Sequence, residues 1–241
     1  MSAIKEQYHD EIEARQRIKP KPRKESPILF STPMVLANLE GRKNQTRRLT
    51  GLEVINQNPD HWKFESKWRT VNHFWDPTKE ESPNPLKRFF VFTNKNSGKE
   101  VEIRCRYGDK KGDLIWVRET FIQFPEGEFN YKTEPHPVFE QAKTKWKPSI
   151  HMPKSASRIW LEFQEATVER LQDISETDAK AEGMEPGRLI GFGAIGQSTF
   201  REGFFNIWLT IHGYESLHQN PWVLVIKYKV ISTTGKENIQ N

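Results

Sequence analysis

The 241-residue chain is 35% hydrophobic and 29% charged, enough for one domain with a modest core. No signal peptide is expected at its start, and no apolar run comes near the ~20 residues of a membrane span. Its 37 basic and 32 acidic residues leave a net charge of +5, which favours an anionic partner where that charge is clustered. A single cysteine, Cys105, excludes an internal disulfide and a cysteine-rich zinc site and fits a reducing cytoplasm. Seven histidines without ligand spacing predict no metal.

Residues 1–26 read as a polar leader, with six basic and no acidic residues at positions 15–24 and a helix barred by Pro20 and Pro22. Such a segment is either a solvated, disordered tail or an arm adding salt-sensitive attraction to phosphates. Ile28, Leu29 and Phe30 predict the first strand of a domain spanning 27–232. A short helix follows, with Thr32 as N-cap, Pro33 in its first turn, and Gly41 where the chain turns out of it. The next residues, Lys43 to Leu49 in order, are polar, hydroxylated and basic, unlike a core strand.

Three insertions are predicted, at about 50–87, 122–150 and 185–198. The first holds Trp62, Trp68 and Trp75 among proline turns and shows no sustained periodicity. Residues 88–93 and 100–106 form a hairpin around 94–98, and 113–121 form a strand. In that strand Arg118 and Glu119 point to opposite faces, so one of them looks inward and is a candidate substrate contact. Residues 143–158 hold five basic and no acidic residues, with Trp146 among them. Lys143, Lys145, Trp146, Lys147, Lys154 and Arg158 could hold a nucleic-acid strand, cations on phosphates and the ring on a base. The plainer alternative is a basic surface loop with Trp146 tucked into the core.

Residues 158–171 predict a long strand, bent near Gln164 and Glu165. Ser175 and Asp178 open a helix that Gly183 closes, placing Glu182 in its last turn. A carboxylate there opposes the helix dipole, so Glu182 is either held by Lys43 or solvent-facing. The glycines at 187, 191, 193 and 196 mark a loop without the strand that a dinucleotide fingerprint needs. A helix from Ser198 or Thr199 to Gly213 buries Phe204, Phe205, Trp208 and Ile211. Residues 222–231 close the sheet, and 233–241 read as a disordered tail.

Lys43 and Thr46 are three apart, so a straight strand would point them to opposite faces. If Lys43 belongs to the turn after Gly41, it can swing to the face carrying Thr46 and Arg48. An ammonium, a hydroxyl and a guanidinium would then surround one small volume, able to activate a nucleophile or bind an anion.

The pattern Gly41-x-Lys43-x-x-Thr46-x-Arg48 resembles the signature of ASCH domains in the PUA-like superfamily. Its threonine version resembles bacterial N4-acetylcytidine amidohydrolases, in which a Lys, a Thr and a more distant Glu carry the reaction. Lys43 and Thr46 match the first two, and Glu182 matches the third in its Ala-x-x-Glu-x-Met setting. Longer blocks, at 28–49, 112–121, 152–185 and 220–230, are similar to ASCH-domain proteins encoded by bacteriophages. The resemblance implies an α+β fold: a small mixed β-barrel with peripheral helices and long loop insertions.

It further implies a cytoplasmic protein acting without a cofactor on a nucleoside or a nucleic acid, RNA or single-stranded DNA. Lys43, Thr46 and Glu182 would be catalytic, and Arg48, Arg118 and Glu119 would bind substrate. Alanine at Lys43, Thr46 or Glu182 is expected to abolish activity and leave stability nearly unchanged. Two other readings stay open, a non-catalytic module for RNA, DNA or a modified base and a phage assembly factor. Oligomeric state is not predicted.

Overall fold

The computed structural model describes residues 23–66, 89–124, 127–134, 145–187 and 198–239. Lys143, Trp68, Trp75, most of the basic run at 15–24 and the glycines at 191, 193 and 196 lie outside them. The fold is α+β. A five-stranded mixed sheet carries β1 (Glu25–Leu29), β6 (Leu114–Arg118), β9 (Trp160–Arg170), β10 (Trp222–Ser232) and β2 (Gln45–Arg48), in that spatial order. The pair β1–β6 is parallel and the other neighbours are antiparallel. A second sheet holds β3 (Trp62–Ser66), β4 (Phe89–Asn94) and β5 (Glu100–Arg104), and a small hairpin pairs β7 (Phe121–Gln123) with β8 (Phe129–Tyr131).

Strand β10 shows how one sequence serves two cores. Leu224, Ile226 and Tyr228 lie on one face and join Phe90, Phe92 and Ile103 of the second sheet. Val223 and Val225, on the other face, meet Phe204 and Trp208 of the helix α3 (Phe200–His212). This is the period-two alternation of a strand covered on both sides. Each fully buried aliphatic or aromatic side chain here contributes about 1.5–3 kcal/mol. The bend expected near Gln164 is a register shift, with Lys227 opposite Glu165 and Tyr228 opposite Phe163, so that Gln164 is the extra residue.

Helix α1 (Thr32–Leu39) starts one residue earlier than its sequence suggests, with Ser31 as N-cap. Gly41, at φ +70°, turns the chain out of it. Helix α2 (Glu176–Ala181) is capped by Ser175, whose hydroxyl accepts from the Asp178 amide, and α4 (Tyr214–His218) follows α3. Among the described residues no helix is long and apolar enough to cross a membrane.

Five expectations change. The five-stranded sheet is not closed into a barrel by backbone pairing: β1 and β2 are its two edges. They nevertheless approach, since Arg48 Nη2 donates to the Leu29 carbonyl at 2.7 Å. The polar leader ends earlier than residue 26, because β6 offers Glu25 and Ser26 a parallel partner. The first insertion sends Leu52, Ile55 and Trp62 into the main core. At the C-terminal end, 233–239 make a turn rather than a loose tail: the Gly235 amide donates to the Arg158 carbonyl, and Lys236 pairs with Glu25 at 2.9 Å. Ile211, expected to be buried, is 54% exposed, because the last turn of α3 borders a cleft.

Candidate functional site

The site is set by the exit from α1. The amides of Arg42 and Lys43 both donate to the Ala37 carbonyl, the Asn44 amide donates to Ala181, and the Tyr228 amide donates to Asn44. These bonds hold Lys43 in the turn before β2, where it bridges Glu182. The turn solves the spacing problem. Thr46 and Arg48 pair with Ile226 and Leu224 and so share the inner face of the sheet, and Arg47 pairs with Val225 on the helix face. Lys43 swings to the inner side: its Nζ lies 5.5 Å from the Phe30 ring centre, and the Arg48 guanidinium lies 5.2 Å from the same ring.

Lys43 is fully buried, its side chain 0% exposed. Its Nζ donates to the Gln45 carbonyl at 2.8 Å, the Glu182 carbonyl at 2.8 Å and Glu182 Oε2 at 2.7 Å. All three N–H bonds of an ammonium are thereby used. Burial pushes the Lys43 pKa below its ordinary value; Glu182 opposes that shift, and Arg48 and Arg47 add to it. Thr46 is 2% exposed, and among the described residues no hydrogen bond engages its hydroxyl.

Glu182 is the centre of the arrangement. It is buried, as one of the two alternatives required, with Oε2 on Lys43 and Oε1 on Arg47 Nη1 at 3.0 Å. The Arg47 side chain is 1% exposed, and its other edge meets Glu169 Oε1 at 2.6 Å and Asp178 Oδ2 at 3.8 Å. Burial raises the Glu169 carboxyl pKa against the pull of Arg47. For Asp178 burial also acts upward, but bonds from Ser175 and Gln45 and the charge of Arg47 hold it below its ordinary value. Sequence reasoning missed Arg47. Its neighbour Arg48 carries the motif, and only the alternation along β2 with a carboxylate on each side could have singled it out.

This burial corrects one expectation. Alanine at Glu182 would leave the buried Lys43 with no counter-ion and the buried Arg47 with one carboxylate fewer, so nearly unchanged stability is not the outcome the geometry supports.

The remaining candidates are placed elsewhere. Glu119, 2% exposed, is gripped by Arg158 through Nε at 2.9 Å and Nη2 at 3.0 Å, and Thr133 donates to it at 2.9 Å. Arg158 also pairs with Glu134, and its guanidinium stacks 4.1 Å from the Tyr131 ring. Arg118 donates to the Ile150 carbonyl and lies over Trp116. Lys154 pairs with Glu25. Lys147 exchanges backbone bonds with Phe121 and keeps its side chain exposed, as does Lys145; Trp146 between them is half-buried. The basic loop thus divides into two committed cations, Lys154 and Arg158, and the exposed pair flanking Trp146.

An apolar cleft of ≈ 440 Å³ lies beside the Lys43 turn, lined by Met34, Met184, Ile207 and Ile211 with Arg42 and Gly183. Gly183, at φ +80°, lines the cleft and lies against Ala37 and Lys43. A Cβ there would lie 3.0 Å from Lys43 Cβ and 2.7 Å from Ala37 Cβ. Among the described residues no group of His, Cys, Asp and Glu could hold a metal ion. The chain matches no family model, no curated protein and no solved structure.

Proposed function

We propose that the chain is an ASCH-type protein of the PUA-like superfamily that acts on nucleobases, removing the acyl group from N4-acylated cytosine. The observation that carries this reading is the buried Lys43–Glu182 pair, drawn from positions 139 residues apart in the chain, on the inner side of the sheet that also carries Thr46 and Arg48. The Arg48 contact to Leu29, joining the two sheet edges, supports relating the open sheet to a barrel of that superfamily.

In the reaction, Thr46 Oγ1 attacks the acyl carbonyl as its proton passes to neutral Lys43. Arg48 donates to the developing oxyanion. The C–N4 bond breaks as Lys43 returns the proton to N4, releasing cytosine and leaving an acyl ester on Thr46. Water then hydrolyses the ester to the free acid. The step needs no metal or cofactor. It requires Lys43 to give up the proton it shares with Glu182, and the buried position that lowers its pKa favours that loss.

One observation favours a second reading, recognition of a modified base without turnover: the Lys43 ammonium already has an acceptor for each of its protons. Mass spectrometry after incubation with N4-acetylcytidine and longer N4-acylcytidines separates the two. Release of cytidine and free acid is expected. Binding without release would move the assignment to the binding module.

Trp146 tests whether the substrate is a polynucleotide. Half-buried between two exposed lysines, the ring can stack on a neighbouring base. Trp146→Ala should weaken binding of a single-stranded oligonucleotide by about 1–3 kcal/mol and leave reaction with the free nucleoside unchanged. Unchanged oligonucleotide affinity in a titration would restrict the substrate to the nucleoside.

A further inference from the structure

Lys43 and Arg47 reach one carboxylate from opposite faces of the same sheet. Lys43 takes Oε2 of Glu182 at 2.7 Å from the inner side, and Arg47 takes Oε1 at 3.0 Å from the helix side. The three side chains are 0%, 2% and 1% exposed for Lys43, Glu182 and Arg47, so water compensates none of their charges.

We infer that Arg47 is a positioning residue for the Lys43–Glu182 pair, holding Glu182 in place and electrically compensated when Lys43 gives up its proton. The inference rests on the hydrolase reading for its role in catalysis, though the coupling itself does not depend on turnover.

The reasoning is a count of charge in a dry volume. When Lys43 is an ammonium, Glu182 faces two cations, of which Arg47 is shared with Glu169 at its outer edge. When Lys43 is neutral, Glu182 and Arg47 remain as a complete pair at 3.0 Å. Without Arg47, loss of the Lys43 proton would leave a buried carboxylate with no counter-charge, so Lys43 would hold its proton more firmly. Arginine suits this place because it stays charged at any pH the protein meets.

Its outer edge is anchored independently: Nε and Nη2 meet Glu169 Oε1 at 2.7 and 2.6 Å, and the guanidinium lies 5.9 Å from the Phe204 ring. The other charged and titratable groups around Lys43 are Arg48 on the inner face, Tyr228 beside Glu182, and His212 beyond Arg48; Asp178 borders Arg47. None of these contacts the Oε1 atom that Arg47 occupies among the described residues.

The experiment is an NMR titration of the full chain carrying ¹³Cε-labelled lysine, with Lys43 assigned from Lys43→Arg. Wild-type Lys43 should titrate below the ordinary value of 10.5. In Arg47→Met its midpoint should rise by roughly 1–2 units. The double variant Arg47→Met/Glu169→Gln removes the cation together with its outer carboxylate, so that no unpaired Glu169 charge is left should the single variant fail to fold; the same rise is expected. Arg47→Lys, retaining a cation, should stay near wild type. An unmoved Lys43 midpoint in the Met-containing variants would overturn the inference. Where turnover is measurable, the rise of rate with pH should move upward by the same amount. A merely structural Arg47 would lower the rate equally at every pH. If the midpoint moves and wild type shows no turnover, the positioning inference stands and the hydrolase assignment falls.

Discussion

Glu182→Ala should destabilise the protein by about 3–5 kcal/mol, because removing one partner of a buried ion pair leaves the other without compensation. Here it leaves Lys43, 0% exposed, with no counter-ion, and takes from Arg47, 1% exposed, one of its carboxylates while Glu169 stays at 2.6 Å. For a chain of this size that corresponds to a fall in Tm of roughly 6–20 °C. Lys43→Ala should be the milder change, since Glu182 keeps Arg47 at 3.0 Å and loses only one of its two cations. Glu182→Gln should resemble the alanine variant: one amide oxygen can accept from Lys43, but the amide nitrogen then faces the Arg47 donor. Differential scanning calorimetry decides it. A Tm for Glu182→Ala within 2 °C of wild type, a margin of roughly 1 kcal/mol, would mean that Glu182 is not held between the two cations.

Thr46→Ala should reduce release of cytidine from N4-acetylcytidine by at least about 10³-fold, the loss expected when a reacting group is removed from a set that works as a unit. Its effect on stability should be small, about 1–2 kcal/mol, since the change deletes a methyl and a hydroxyl that is hydrogen-bonded to no described residue. Thr46→Ser keeps the oxygen and should restore part of the rate. Adding Lys43→Ala and Glu182→Ala to Thr46→Ala should slow the reaction little further. The pH profile has a defined sign. Neutral Lys43 is the base, and burial places its pKa below 10.5. The rate should therefore climb with pH and level off before an ordinary lysine would titrate. Unchanged turnover in Thr46→Ala would remove threonine from the role of nucleophile.

Much of the local architecture is written in local residue patterns. The hairpin of β4 and β5, the long strands β9 and β10, and the Ser175 cap all follow from alternation, turn residues and capping chemistry, which act within a few positions. The bend at Gln164 was likewise legible, as a polar interruption in a strand otherwise made to be buried. Ile211 shows where such patterns end. It lies on the same helical stripe as Phe204 and Trp208, yet it borders a cleft, because periodicity says which face is apolar but not how far the opposing layer extends.

The sequence by itself determined that Lys43, Thr46 and Arg48 deserved joint consideration, and that Lys43 could join the inner face only from a turn; Glu182 was joined to them by the family resemblance. Gly41 and the spacing within the motif carry that information, since they dictate backbone direction over a few residues. Only the tertiary structure decided which carboxylate meets which cation. Glu119 and Arg158, read separately as contacts for substrate and nucleic acid, grip each other at 2.9 Å, and Lys154 is taken by Glu25. Arg47, unremarkable in a basic run, became the second counter-ion of Glu182 because β2 sends alternate side chains to opposite faces and α2 delivers the carboxylate to the edge between them. Such pairings depend on which distant segments are stacked together, and burial then fixes their strength by removing the water that would otherwise screen them.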